Sequence, residues 1–293
     1  MSDFNALMGW VDHPDREIVA ARHPTLFAAA PYLQDTDDGR DILLYRAWSE
    51  VIGKYPDYPA QEIGDCTSFG AGHALDLLQC VEIAIGERDE EFKEICTEAI
   101  YGMGREIAGM LRSGDGCYGG AVAEAVGQGA LSREEVGPYS GQRAKDWGRK
   151  GVPQEVKLKA SKQKLRTAAL VKTLPELDAA LVNGHPVTVA SNQGFTMARD
   201  ANGICQPRGS WAHQMFLLGR AKIAGATYYL IGQSWGPNVP SGPTPMDIPN
   251  FCFFAPSRTV GSMLGVGDSW SFAGWDGFKR RDLPSGWSYM GMS

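Results

Sequence analysis

The chain has 293 residues, 43% of them hydrophobic and 21% charged. These proportions fit one large or two modest globular cores and exclude disorder along the whole chain. Lys and Arg number 28 against 34 Asp and Glu, a formal charge of −6, which gives no support to a nucleic-acid-binding surface spread over the protein.

In chain order, residues 1 to about 50 hold two short apolar stretches, around Ile18-Val19-Ala20-Ala21 and Leu26 to Ala30, and then an acidic turn from Asp35 to Arg40. The segment is too short to fold alone and reads as an N-terminal arm packed on something larger. The start, Met1 to Trp10, has neither a basic cluster nor an apolar run, and no window approaches the ~18 apolar residues of a membrane span. The expected location is therefore cytoplasmic, with no secretion by the usual route and no membrane contact.

From Cys66 the pattern turns helical: Phe69, His73, Leu77 and Cys80 or Val81 recur at three- and four-residue steps, and Gly86 is placed to end the helix. A second helix is predicted over 90–111 and a third over 121–129, with the turn-rich run Ser113 to Gly120 between them. Residues 142–172 then carry ten Lys or Arg against Asp146 and Glu155. A solvated connection between two halves is favoured there over a docking site for nucleic acid or an acidic partner. After it the period changes. Strands are predicted over 165–173, 186–190, 214–219, 228–232 and 250–255, with a short helix over 175–182. Helices first and strands second is the order of an α+β protein whose halves, about 61–141 and 165–256, could meet along a cleft. Residues 257–293 carry Trp270, Phe272, Trp275, Phe278 and Trp287 among Gly and Ser, and read as an extended C-terminal tail that must bury those rings on its own domain or on other subunits of an assembly.

The six cysteines, Cys66, Cys80, Cys96, Cys117, Cys205 and Cys252, include no CxxC pair, which argues against a zinc ribbon, and are too sparse for a disulfide-built scaffold. No metal or cofactor is expected. Cys66 differs from the others by its setting. It follows Gly64-Asp65 and opens the first helix, where free backbone N–H groups and the helix dipole favour a thiolate. His213 follows Gly209-Ser-Trp-Ala and leads into an apolar strand, so its ring is expected at a sheet rim. By itself it could equally be a structural histidine.

Further segments complete a pattern. Gln61 to Cys66, Gly116-Cys117-Tyr-Gly119-Gly120, Gly137-Pro-Tyr-Ser-Gly, Gly184-His-Pro-Val-Thr-Val, Ala212-His213-Gln-Met and Tyr229-Leu-Ile-Gly-Gln233-Ser234-Trp235-Gly236 run in this order. In that order they resemble the papain-like cysteine proteases. The resemblance implies a helical L domain and a β-barrel-like R domain over about residues 51–256, with the active site between them. It implies Cys66 as nucleophile, His213 as its imidazole partner and proton donor, Gln61 with the Cys66 backbone N–H as oxyanion donors, and Gln233 as the orienter of His213. Gly64, Gly119 and Gly120 would contact the backbone of a peptide or protein substrate, and Trp235 would cover the histidine. The chain departs from the family in having Gln233 where Asn is usual, in placing Gln61 one residue closer to the cysteine, and in having Ile63 where the disulfide partner of Cys117 would fall. No inhibitory pro-segment is matched, so residues 1–50 read as part of the mature fold. The expectation is a cysteine peptidase working through an acyl-enzyme. The alternatives are a papain-fold structural or assembly protein, for example in a phage particle, and an acyltransferase or deamidase using the same pair.

Overall fold

The protein is described from a computed structural model that covers residues 4–14, 21–162, 167–274 and 277–288. The apolar residues Ile18 to Ala20, the basic Lys164 and Arg166, and Trp275 lie outside the described residues.

Nine α-helices and seven strands are seen among these residues. The helices are α1 (Leu26–Ala29), α2 (Arg46–Ile52), α3 (Cys66–Ala84), α4 (Thr97–Ile107), α5 (Gly119–Gln128), α6 (Gly141–Lys150), α7 (Gln154–Ala160), α8 (Leu174–Val182) and α9 (Ser257–Leu264). The strands are β1 (Ile42–Leu43), β2 (Thr167–Leu170), β3 (Val187–Phe195), β4 (Pro207–Ile223), β5 (Ala226–Gly232), β6 (Cys252–Pro256) and β7 (Trp270–Ala273). The strands form one antiparallel sheet in the order β2-β7-β3-β4-β5-β6, with β1 added on β4. No helix among the described residues is long and apolar enough to cross a membrane.

Helix α3 is the axle of the molecule. The sequence suggested one apolar face, yet every side chain from Cys66 to Glu82 is buried, because α2, α4, α5 and β4 all pack around it. Its polar members are accommodated rather than exposed: Asp76 accepts from Tyr58 Oη and from the Ile95 N–H, both at 2.9 Å. A methyl group at Gly70 would stand 3.1 Å from the Met215 carbonyl, so glycine there lets the helix lie directly on β4.

The second helix starts at Thr97, later than the periodicity suggests. Residues 90–96 are extended because tertiary bonds claim them: Asp76 takes the Ile95 N–H, Arg133 Nη2 donates to the Ile95 carbonyl, and Ile95 bridges Ser132. Within the basic stretch, residues 142–150 and 154–160 lie in α6 and α7 on the helical half. Arg143 reaches buried Glu98 at 2.7 Å, Lys157 reaches Glu106 at 2.6 Å, and Lys159 reaches Glu135 at 2.7 Å. The C-terminal segment is not an extended tail. It forms α9, and β7 inserts between β2 and β3, so that Trp270, Phe272, Phe278 and Trp287 are buried in the protein's own core.

Candidate active site

Cys66 stands at the first position of α3, fully buried. Strand β4 runs past it with His213 paired to Ser191 of β3, and the next residue, Gln214, ties the two elements together. The Gln214 N–H points at Cys66 Sγ (3.4 Å) and its Nε2 donates to the Thr67 carbonyl (3.0 Å). Cys66 therefore lies against β4 at the residue that follows His213, at the junction of helical half and sheet, and among the described residues no hydrogen bond joins its Sγ to the His213 ring.

That junction is filled. Residues 4–11 run across it as a short 3-10 turn, Phe4–Leu7, followed by an extended stretch. The Trp10 N–H donates to the Ala212 carbonyl (3.1 Å) on the sheet side, while Gly9 O accepts from Cys117 N (2.8 Å) and Val11 N donates to Cys117 O (3.0 Å) on the helical side. Gly9 is pressed against Gly64 so closely that a Cβ on it would lie 2.0 Å from the Gly64 carbonyl oxygen. Phe4 stacks on Trp235 at 4.9 Å. We call this segment the strap.

Gln61 is buried beneath the strap. Its Nε2 donates to the Leu7 carbonyl and to the Ile63 carbonyl, both at 2.7 Å, and its Oε1 accepts from Ser234 Oγ. Trp235 lies against His213 with ring centroids 4.5 Å apart. Gln233 does not reach the histidine: its Nε2 donates to the Val239 carbonyl and its Oε1 accepts from the Trp235 N–H (2.7 Å), so it holds the turn that carries Trp235. Neither ring nitrogen of His213 has a hydrogen-bond partner among the described residues. Gly119 and Gly120 open α5. Rather than facing open space, Gly119 donates its N–H to Asp268 Oδ2 at 2.8 Å.

The electrostatics follow from burial. Desolvation pushes the Cys66 thiol up to about 12, against the pull of the Gln214, Gly9 and Trp10 amides that face the sulfur. Desolvation likewise drives His213 down to about 3. With the strap seated, the site holds a neutral thiol and a neutral imidazole. All six cysteines are free and buried, and Cys117 has no disulfide partner.

Trp10, Asp268, Asp65 and Gln214 belong to this site and were not singled out from the sequence. Asp65 is buried beside Cys66 with Tyr139 Oη on one oxygen (2.9 Å), and burial raises its carboxyl well above the usual range. Its place directly before Cys66 was visible. Trp10 and Asp268 lie 258 positions apart and carry no local signal.

No protein-family model matches the sequence, and no curated protein matches it. Solved structures do. Xylellain, a cysteine protease from Xylella fastidiosa, superposes with a TM-score of 0.63 at 15% identity over 92% of this chain and 97% of its own. Procathepsin B S9 from Trypanosoma congolense gives 0.62 at 11% identity, over 93% of this chain and 87% of its own. The digestive procathepsin L 3 of Tenebrio molitor larval midgut gives 0.56 at 15%, over 88% and 79%.

The fold is that of the papain-like cysteine proteases. In the papain-like frame, α3 and the sheet carrying β3 and β4 are the two halves expected from the sequence, and the α+β class holds. The likeness extends over nine-tenths of the chain.

Proposed function

We propose that the protein is a cysteine peptidase held in a closed state by its own residues 4–11. One observation carries this reading: a peptide segment already lies across the junction with a carbonyl, that of Leu7, on the side-chain amide of Gln61 and with backbone amides turned toward Cys66 Sγ. A site that receives a peptide carbonyl on an amide donor beside a thiol is suited to acyl transfer.

In the open state water reaches Cys66 and His213, the desolvation that keeps both neutral is lifted, and the helix N-terminus favours a thiolate next to an imidazolium. The sulfur attacks the substrate carbonyl and the C–S bond forms. The oxyanion is received by Gln61 Nε2 and the Cys66 N–H. His213 gives its proton to the leaving nitrogen as the C–N bond breaks. Water, deprotonated by the same imidazole, then hydrolyses the thioester and the carboxylic acid leaves. Trp235 shields the histidine, and Gln233 supports Trp235 through the backbone bond it makes here. Whether the acceptor is water or an amine is read from product mass.

A second reading has its own observation. Gln233 is engaged away from His213 and the imidazole has no orienting partner, as fits a papain fold kept for structural duty without catalysis. Iodoacetamide labelling followed by peptide mapping separates the two. With the strap displaced by Gly9→Val, Cys66 should be alkylated ahead of the other five thiols, and peptide hydrolysis should disappear in the same chain carrying Cys66→Ala. Absence of selective labelling would rule out the peptidase.

A further inference from the structure

The strap is a peptide in the site, and its largest buried side chain reports on a pocket. Trp10 is 4% exposed and packs on Cys66, Ala190 and Val266. At the bottom of this otherwise apolar pocket lies a carboxylate. Trp10 Nε1–H donates to Asp268 Oδ2 at 2.8 Å. The same oxygen accepts from the Gly119 N–H at 2.8 Å, and Oδ1 accepts from Trp270 Nε1–H at 2.7 Å. Asp268 is itself 5% exposed, and a Cβ at Gly119 would stand 2.6 Å from its Oδ1. The carboxyl group is thus fixed by both halves of the fold, from the start of α5 and from β7, with one position on Oδ2 filled by the indole.

We propose that Asp268 is a specificity-determining residue of the peptidase site: the pocket that now holds Trp10 selects tryptophan in a substrate, through the indole N–H, over side chains of similar bulk that lack one. This rests on the peptidase reading above. When Trp10 withdraws, Asp268 keeps its bonds to Gly119 and Trp270 and loses one partner in a dry pocket. Phenylalanine or leucine would fill the space and leave that acceptor unmatched, which costs more than the absent contact alone. Tryptophan restores it. Arginine and lysine also carry N–H donors, but they would bury a full cation among Ala190, Val266 and Cys66.

The test uses the full chain carrying Trp10→Ala, so that the pocket is vacated while Asp268 stays intact. Synthetic peptides reproducing residues 4–13, with Trp, Phe, Leu or Arg at the place of Trp10, compete with iodoacetamide for Cys66, and alkylation is read by mass. This reports occupancy whether or not a bond is cut. The tryptophan peptide should protect at a concentration about tenfold or more below that of the phenylalanine peptide, and the advantage should vanish when Asp268→Asn is added. In a digested peptide library, tryptophan should be enriched beside the cleaved bonds. Equal protection by Trp and Phe, best protection by Arg, or no protection by any peptide overturns the assignment. Tryptophan-selective protection with no cleavage of any library peptide upholds the pocket and removes the peptidase reading instead. Should the Asp268→Asn chain fail to fold, the peptide comparison on the Trp10→Ala chain decides alone.

Discussion

Both ends of the described chain cross to the junction of helices and sheet, and they are attached differently. The C-terminal segment enters the sheet as β7, paired to β2 on one side and β3 on the other, and its Trp270 is 1% exposed. The strap contributes no strand. It is held by a few backbone bonds, the Gln61 amide on the Leu7 carbonyl, one indole–carboxylate bond and the Phe4–Trp235 stack. Two similarly buried tryptophans, Trp10 and Trp270, even share Asp268. On the closed-state reading proposed above, one can leave without opening a ladder and the other cannot. Burial therefore does not by itself distinguish core from occupant; the number of ladder neighbours does.

The largest effect expected from this contrast is on Trp270. Trp270→Ala should cost about 3–5 kcal/mol of unfolding free energy by denaturant titration, whereas Trp10→Ala should cost clearly less, because the strap can detach while the sheet stays closed. Equal losses would abolish the distinction. Next comes Gly9→Val: a side chain there meets the Gly64 backbone, the strap is expelled, and iodoacetamide should modify Cys66 about a hundredfold faster, a shift of about 2.7 kcal/mol in the closing equilibrium.

The pH profile sharpens the comparison further. The Cys66 pKa is raised while the strap is seated, so the closed state favours the thiol. That preference is fully present below the open-state pKa and is lost as pH rises through the closed-state value near 12, so alkalinity promotes release. In the unaltered chain the alkylation rate should climb without a plateau to pH ~10, while in the Gly9→Val chain it should level off near the ordinary thiol value of about 8.5 or below. The smallest effect is that of Phe4→Ala, which removes a stacked pair of about 0.5–1.5 kcal/mol and should speed alkylation by about two- to tenfold.

Much of this architecture was legible in the chain. The periodicity from Phe69 to Val81 gave α3, and the apolar runs near Val187, Met215, Leu230 and Phe253 fall in β3 to β6. Local pattern failed where distant partners decide. Residues 90–96 are helical by composition and extended by their bonds to Asp76 and Arg133. The C-terminal aromatics were recognised as needing a surface, but that the surface is a slot between β2 and β3 depends on pairings more than 80 residues away. At the candidate site, Cys66, His213 and Gln61 stood out as candidates because each sits in a short distinctive segment. The strap could not, because Gly9-Trp10 means nothing until Gly64 and Asp268 are placed against it. Gln233 shows the limit of reading a role from position in a motif: its side chain is long enough to find the backbone at Val239 and Trp235, and does so here.

On the peptidase reading, the strap, which belongs to the same polypeptide as its seat, competes with substrate as a tethered ligand. A free peptide entering the junction faces not the strap's intrinsic affinity but an effective concentration, commonly about millimolar for a short connection. Reversible opening would then give only a low, substrate-dependent activity. A single cut anywhere between Val11 and the packed helix α1 would dilute the strap from that local concentration to the bulk one. Without changing any contact in the site, it would turn a rapid re-closing into a one-way release.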